Sequence, residues 1–399
     1  MQDLKARPEP FTPIQLEGAK ELRKRLESIL PPTYDTDFFL ARWFRAYKGD
    51  LEAVELKLKE LIAHRQTLGY NEANVLECCS TFEFAKKTFE RFSISQLKID
   101  VFSEDVAVFL QKMRGVDIKE IVKVIPLSYV LHSYLLLQEC FHTAIYKHEQ
   151  RTGRPSAVVV VIDLDGLSLT DFMNPLSAPS KLARLVVKLW SDYFSENLIR
   201  LYLLHPPGLL SLMWQVAKHI VDAKTQSSVV FLAKTEEILQ FLDAKAVPKE
   251  VGGERVDTSG FAQPPEACVS APKPVLSTDH FCIKKNFWEK HGVVGKEVPE
   301  SKHTSLKSKA IHEISQECEA GQQLLWTFTT SSDLSFEIVH IQENQKQETS
   351  VWPKITLTSL KTPEHGVVDC KKAGIYCLRF GNASGSWLAA KLQYAVLVK

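Results

Sequence analysis

The chain has no surplus of either charge: across 399 residues, 49 Lys and Arg stand against 48 Asp and Glu. The balance is also local, with 12 basic and 12 acidic residues in 1–75, 22 and 23 in 76–275, and 15 and 13 in 276–399. No third carries the cationic excess needed to neutralise a phosphate backbone, which excludes a nucleic-acid binder. No apolar run approaches the ~18 residues of a spanning helix. The opening Met-Gln-Asp-Leu-Lys-Ala-Arg-Pro-Glu-Pro has no apolar core of a secretory leader, so a soluble cytoplasmic protein is expected. Chemical signatures are missing too. The eight cysteines contain no CxxC pair, the twelve histidines no HExxH, and GxSxG, GxxxxGK[ST] and GxGxxG do not occur. The expectation is no metal, no cofactor and free, mostly buried thiols.

What is present is core material. With 45% hydrophobic and 24% charged residues, the chain has enough apolar side chain for two or three domains. In the first segment, 1–75, Thr12-Pro13-Ile14-Gln15 supplies an N-cap, a proline at the first helical position and a capping-box Gln. Leu16, Ala19, Leu22 and Leu26 then share one face, with Lys20, Arg23, Lys24 and Arg25 expected on the solvated one. A second helix starts near Thr36-Asp37 and a third behind Asp50, with Val54, Leu58, Leu61 and Ile62 at helical spacing. In 76–255 the pattern changes to short aliphatic runs at 106–110, 158–162, 201–204 and 229–232, separated by helical stretches, which predicts a mixed or parallel α/β sheet. A Ser-, Thr-, Gly- and Pro-rich stretch around 256–275 reads as a linker. In 276–399 the period falls to two (Leu324, Trp326, Phe328), predicting an all-β sandwich.

Two segments carry candidate chemistry. Val159 to Ile162 followed by Asp163, Asp165 and Gly166 resembles a phosphatase nucleophile motif, in which one Asp attacks phosphorus and the other handles the proton. The chain has no Asp-Asp pair to complete such a metal site, and the alternative is a strand-to-loop turn capped by the two carboxylates. Residues 208–222 form a strongly amphipathic helical pattern, with Leu209, Met213, Val216 and Ile220 on one face. That face either packs on the sheet or covers a ligand cavity as a lid that can rest on a bilayer.

Leu40 to Asp50, the Asp163-x-Asp-Gly turn, Tyr193 to Leu198, His205-Pro206-Pro207, Trp214, Lys218, Thr225 and Val247 to Gly253 follow one another in an order that resembles the CRAL-TRIO lipid-binding family. The C-terminal third resembles a GOLD domain through Leu325 to Phe328, Asp333, Phe336, Ile338, Gly374 to Tyr376, Phe380 and Tyr394. The combination is similar to the animal subfamily that includes supernatant protein factor and tocopherol-associated protein. The resemblance implies a helical bundle plus an α/β lipid module, then a β-sandwich. It further implies a non-enzymatic carrier that takes one hydrophobic lipid from a membrane and associates transiently with intracellular membranes. The expected lipid contacts are Val158, Val160, Ile162, Leu201, Leu203, Val229 and Phe231 on the sheet and Leu209, Met213, Val216 and Ile220 on the gate, with Lys48 and Glu196 toward a headgroup. Tyr47 and Ser228 stand where phosphatidylinositol-transferring relatives have Arg and Lys, and Val158 and Val160 where phosphatidylcholine-binding relatives have hydroxyls, so the expected ligand is apolar: a terpenoid, a tocopherol-like prenol or a fatty acid, with a phospholipid still open. A lipid-sensing adaptor in Golgi traffic, acting through GOLD, is the alternative, followed by a phosphotransferase using Asp163 and Asp165.

Overall fold

The computed structural model describes residues 4–97, 100–194, 196–208, 210, 227–257, 267–342, 348–383 and 389–399. Its first three helices follow the sequence signals. Helix α1 (Pro13–Leu26) is opened by the reciprocal Thr12–Gln15 capping box. Thr36 accepts from the Phe39 amide to open α2 (Asp37–Ala46), and Asp50 accepts from Ala53 to open α3 (Leu51–Thr67). At Gly18 a Cβ would lie 2.4 Å from the Phe44 ring, so α1 and α2 approach closely only because that residue has no side chain. On the outer side of α1, Arg23 reaches Asp35 and Asp37 and Lys20 reaches Glu17, as a solvated charged face requires.

Two short helices, α4 (Val75–Thr81) and α5 (Glu83–Phe89), lead into a five-stranded sheet. Its strands are β1 (Ser93–Ile94), β2 (Val106–Lys112), β3 (Ala157–Asp163), β4 (Leu198–Leu204) and β5 (Val229–Leu232), in sequential order, with β2 to β5 parallel. Helices α6 (Ile118–Ile121) and α7 (Leu127–Thr152) cross from β2 to β3, and α8 (Ala178–Tyr193) crosses from β3 to β4. One sheet face joins a core with α7, α8 and the N-terminal helices through Ala107, Phe109, Val158 and Val160. The other, with Val108, Val159, Val161 and Tyr202, packs on Ile238, Leu242, Val247 and Val251. Both faces of β2 and β3 are buried, which is why those strands read as unbroken aliphatic runs.

Helix α7 is buried on nearly every side, charged residues included. Glu139 accepts from Tyr34 and Arg65, and Glu149 from Arg42 and from the Ser156 amide. His148 lies 2.9 Å from Asp105, and His142 2.9 Å from the Thr33 carbonyl.

The C-terminal strands are β6 (Lys302–Leu306), β7 (Ile311–Cys318), β8 (Gln323–Thr330), β9 (Leu334–Ile341), β10 (Glu348–Leu357), β11 (Glu364–Asp369), β12 (Gly374–Gly381) and β13 (Ala390–Val398). They form two antiparallel sheets, β10-β9-β12-β7 and β11-β8-β13-β6, around Trp326, Phe328, Phe336 and Phe380. Pro353 sits in β10 where the register with β9 shifts, the position at which a strand tolerates a missing amide.

The sandwich is fixed to the helices by polar contacts. Glu364 of β11 accepts from the Leu127 and Ser128 amides and so caps α7, and Thr362 donates twice to the Val122 carbonyl. Arg184 of α8 forms a two-pronged pair with Asp333 at 2.8 Å.

Burial pushes the Glu364 carboxyl up to about 7, against the two amide hydrogen bonds. In the unfolded chain the same group titrates near ~4.3. The folded state therefore holds the extra proton between these values: its contribution is complete below pH ~4 and is lost as pH rises through about 7. Denaturant unfolding is expected to show stability falling between pH 5 and 8, with a share on the order of 2–3 kcal/mol removed by Glu364→Gln. A pH slope unchanged by the substitution would assign it to another group.

Candidate functional site

The pairing register places all seven sheet residues singled out by sequence on one face. Val160, Leu201 and Val229 stand side by side across β3, β4 and β5, and Ile162, Leu203 and Phe231 form the next row. Val158 is paired with Leu198 one row back. Exposure grows across the face: Val158 and Val160 are fully buried, whereas Ile162, Leu201, Leu203, Val229 and Phe231 are half-buried. Among the described residues, α7 and α8 pack into the same core as Val158 and Val160. Leu209, Met213, Val216 and Ile220 lie outside the described residues. The neighbouring Leu210 is half-buried against the same core.

The wall opposite the sheet is aromatic, and sequence reasoning did not single it out. Phe109 meets Phe141, Phe141 meets Phe194 edge-on at 5.7 Å, Phe194 stacks on Trp190 at 5.0 Å, and Trp190 meets Tyr134 at 6.0 Å. Three-to-four spacing of Leu182, Leu185 and Leu189 on α8 was the available signal, but which aromatic rings meet depends on the α7–α8 packing. Gln111 stands opposite Ile162 on β2, so it brings one amide to this otherwise apolar face. Burial raises the Tyr134 phenol to about 12, opposed by its hydrogen bond with Gln111. The Trp190 indole N–H is buried with no hydrogen-bond partner among the described residues.

The two residues expected toward a headgroup are not neighbours in this way. Glu196, at φ 61, is ion-paired with Arg45, both side chains being only 12% exposed. Arg45 also stacks over Phe11 and donates to the Glu9 carbonyl. Glu196, Ser228, Arg7, Arg45 and Arg200 line a small cleft of about 110 Å³. Lys48 does not line it; it is exposed at the end of α2, at φ 54. Tyr47 turns elsewhere, stacking on Trp43 and donating to the Asp192 carbonyl at 2.8 Å.

Asp163 and Asp165 serve the turn at the end of β3. Asp163 is 6% exposed; its Oδ1 accepts from the Asp165 amide and lies 2.8 Å from His205 Nδ1. His205 Nε2 in turn lies 3.1 Å from the Thr235 hydroxyl, so one chain of contacts ties the ends of β3, β4 and β5 together. Asp165 pairs with Arg114 at the surface. A phosphoryl-accepting carboxylate must face substrate and metal, whereas Asp163 faces a histidine and a backbone amide. Among the described residues, no group of three or more His, Cys, Asp and Glu side chains is placed to hold a metal ion. Asp163→Asn is expected to lower stability by ~1–2 kcal/mol through the lost charge-assisted contact. Hydrolysis of p-nitrophenyl phosphate with Mg²⁺ should stay at buffer background for both forms; a rate that Asp163→Asn abolishes would restore the phosphotransferase reading.

Residues 80–253 match the CRAL/TRIO domain, a span that contains the whole five-stranded sheet and its crossovers. A CRAL-TRIO domain-containing protein of Caenorhabditis elegans is 30% identical over 394 residues, covering 94% of this chain and 93% of its own length. A second such protein of the same organism is 18% identical over 410 residues, covering 98% of this chain and 93% of its own. A phosphatidylinositol/phosphatidylcholine transfer protein of Arabidopsis thaliana is 23% identical over 303 residues, covering 72% of this chain and 53% of its own. With the helical bundle, the parallel sheet and near full-length similarity in agreement, the chain belongs to the CRAL-TRIO domain family.

Proposed function

We propose that this protein is a non-enzymatic carrier that holds one hydrophobic lipid against the apolar face of its parallel sheet and passes it between intracellular membranes. The observation that supports this most directly is the registered face itself: two rows of aliphatic and aromatic side chains with Gln111 as the amide in line with them, facing an aromatic helix wall. Such a surface binds by removing apolar area from water, at ~25 cal/mol per Å², and offers few partners to a buried charge. A terpenoid, a tocopherol-like prenol or a fatty acid fits that chemistry. The names of Arabidopsis relatives point instead to phospholipids. For this chain a phospholipid headgroup would have to compete with Glu196 for Arg45.

In this reading the 208–222 segment is the gate, and its apolar face meets lipid when the protein touches a bilayer, so that opening costs less there than in water. Organic extraction of the purified protein followed by mass spectrometry should release about one equivalent of a neutral or weakly acidic lipid. Replacing both Leu209 and Met213 with Asp should slow vesicle-to-vesicle exchange by roughly tenfold. Leu203→Trp, which fills the face, should lower lipid occupancy while the fold persists by circular dichroism. An unchanged exchange rate in the first variant would remove the gate; full occupancy in the second would move the ligand to another surface.

The C-terminal sandwich supports a second reading, in which it acts as a GOLD domain and recruits a partner in Golgi or secretory traffic. The edge strand β7 favours it: among the described residues one of its sides has no strand neighbour, and Ile311 at its start is 71% exposed. Under the adaptor reading Ile311→Lys should reduce recruitment to Golgi membranes while leaving lipid exchange unchanged.

A further inference from the structure

The eight cysteines are all free, and one pair in contact joins two helices. Cys79, half-buried on α4, has its Sγ 3.6 Å from that of Cys140, which is 3% exposed on α7. The pair bridges segments 61 residues apart and lies in a small apolar cluster with Tyr70, Val75 and Leu136. Closing to the ~2.05 Å of a sulfur–sulfur bond needs a shift on the order of 1.5 Å, small enough for side-chain adjustment on a two-turn helix.

We propose that Cys79 and Cys140 form a reversible disulfide that staples α4 to α7 when the protein meets hydrogen peroxide. Cys79 is the attacking sulfur. The contact with Cys140 lowers its pKa, while that same contact and burial push Cys140 well above the usual thiol range. The Cys79 thiolate attacks one peroxide oxygen and the O–O bond breaks, giving a sulfenic acid and hydroxide. The Cys140 sulfur then attacks the Cys79 sulfur, the S–O bond breaks and water leaves with the Cys140 proton. Two thiols and one peroxide thus become one disulfide and two waters. Neighbouring Cys78 differs: it is 3% exposed and burial raises its pKa. Cys318 and Cys370 also interact, but both are at most 2% exposed inside the sandwich and Cys318 is pushed up to about 12. The bond would clamp α4 to the helix that carries Phe141, the residue after Cys140, whose ring meets Phe109 of β2 and Phe194.

The test is peroxide treatment of the full chain, alkylation of remaining thiols and peptide mapping by mass spectrometry. Expected is a loss of two hydrogen masses in one new link between the Cys79 and Cys140 peptides, reversed by dithiothreitol and absent in Cys79→Ser. Cys318→Ser should still form it. Cys140→Ser should stop at a dimedone-reactive sulfenic acid on Cys79; if that variant does not fold, the wild-type map and Cys79→Ser decide the matter. A Cys78–Cys79 link, a Cys318–Cys370 link formed first, or eight alkylatable thiols after treatment would each overturn the proposal.

Discussion

Two carboxylates buried on one helix set the terms for the rest of the molecule. Glu139 and Glu149 lie ten positions apart on α7, where burial raises both of their pKa values, and each is met by an arginine. Arg65 comes from α3 and Arg42 from α2, and burial acts on Arg42 in the opposite direction, lowering it. Breaking one side of such a pair typically costs ~3–5 kcal/mol, because the surviving charge has no water to turn to. The N-terminal helices are therefore not an appendage of the α/β unit. Their arginines are what allows α7 to lie buried along the sheet.

The same helix ties in the sandwich. Its first amides have no partner within the helix, and Glu364 supplies acceptors from a strand more than two hundred positions away. Helix α7 thus receives counter-groups from the bundle along its length and from the β-sandwich at its start. The sheet residues Phe109, Val158 and Val160 pack into the same core. In the proposed carrier one wall would stay fixed while another opens, and a helix held by three separate parts of the chain is suited to be the fixed wall.

What could be read from sequence was what repeats locally. The Thr12–Gln15 capping box, the Asp50 cap, the unbroken Val-rich run of β3 and the two-residue period of β8 each signal their element within a few positions, and each element formed there. Choosing residues two apart on β3, β4 and β5 was enough to land on one face, because the side-chain period of a strand is two and the register then aligned the rows. Strands β7 and β11 gave weaker signals. In β7 polar residues occupy most positions, and in β11 the flat Gly366 site exists because Trp326 packs there, with only 2.5 Å between its ring and a would-be Cβ. The Arg45–Glu196 pair, the Phe141–Phe194–Trp190 wall and the Cys79–Cys140 contact join residues 151, 53 and 61 positions apart at their widest, which no local pattern encodes.

The departures at Tyr47 and Ser228 gain physical meaning from these pairings. With Arg45 engaged by Glu196 and Tyr47 turned to the Asp192 carbonyl, the part-buried arginine at the end of α2 already has its acid, while Lys48 stays exposed. An incoming phosphate would have to displace a carboxylate that is itself only 12% exposed, exchanging one desolvated ion pair for another with little net gain. In the proposed carrier a neutral lipid would meet no such competition, because it would rest on the sheet face and the aromatic side chains packed against it. The near-zero net charge of the chain is in keeping with this: Arg45 is already paired, and the rows of Val160, Leu201 and Val229 and of Ile162, Leu203 and Phe231 leave apolar surface for a ligand to use.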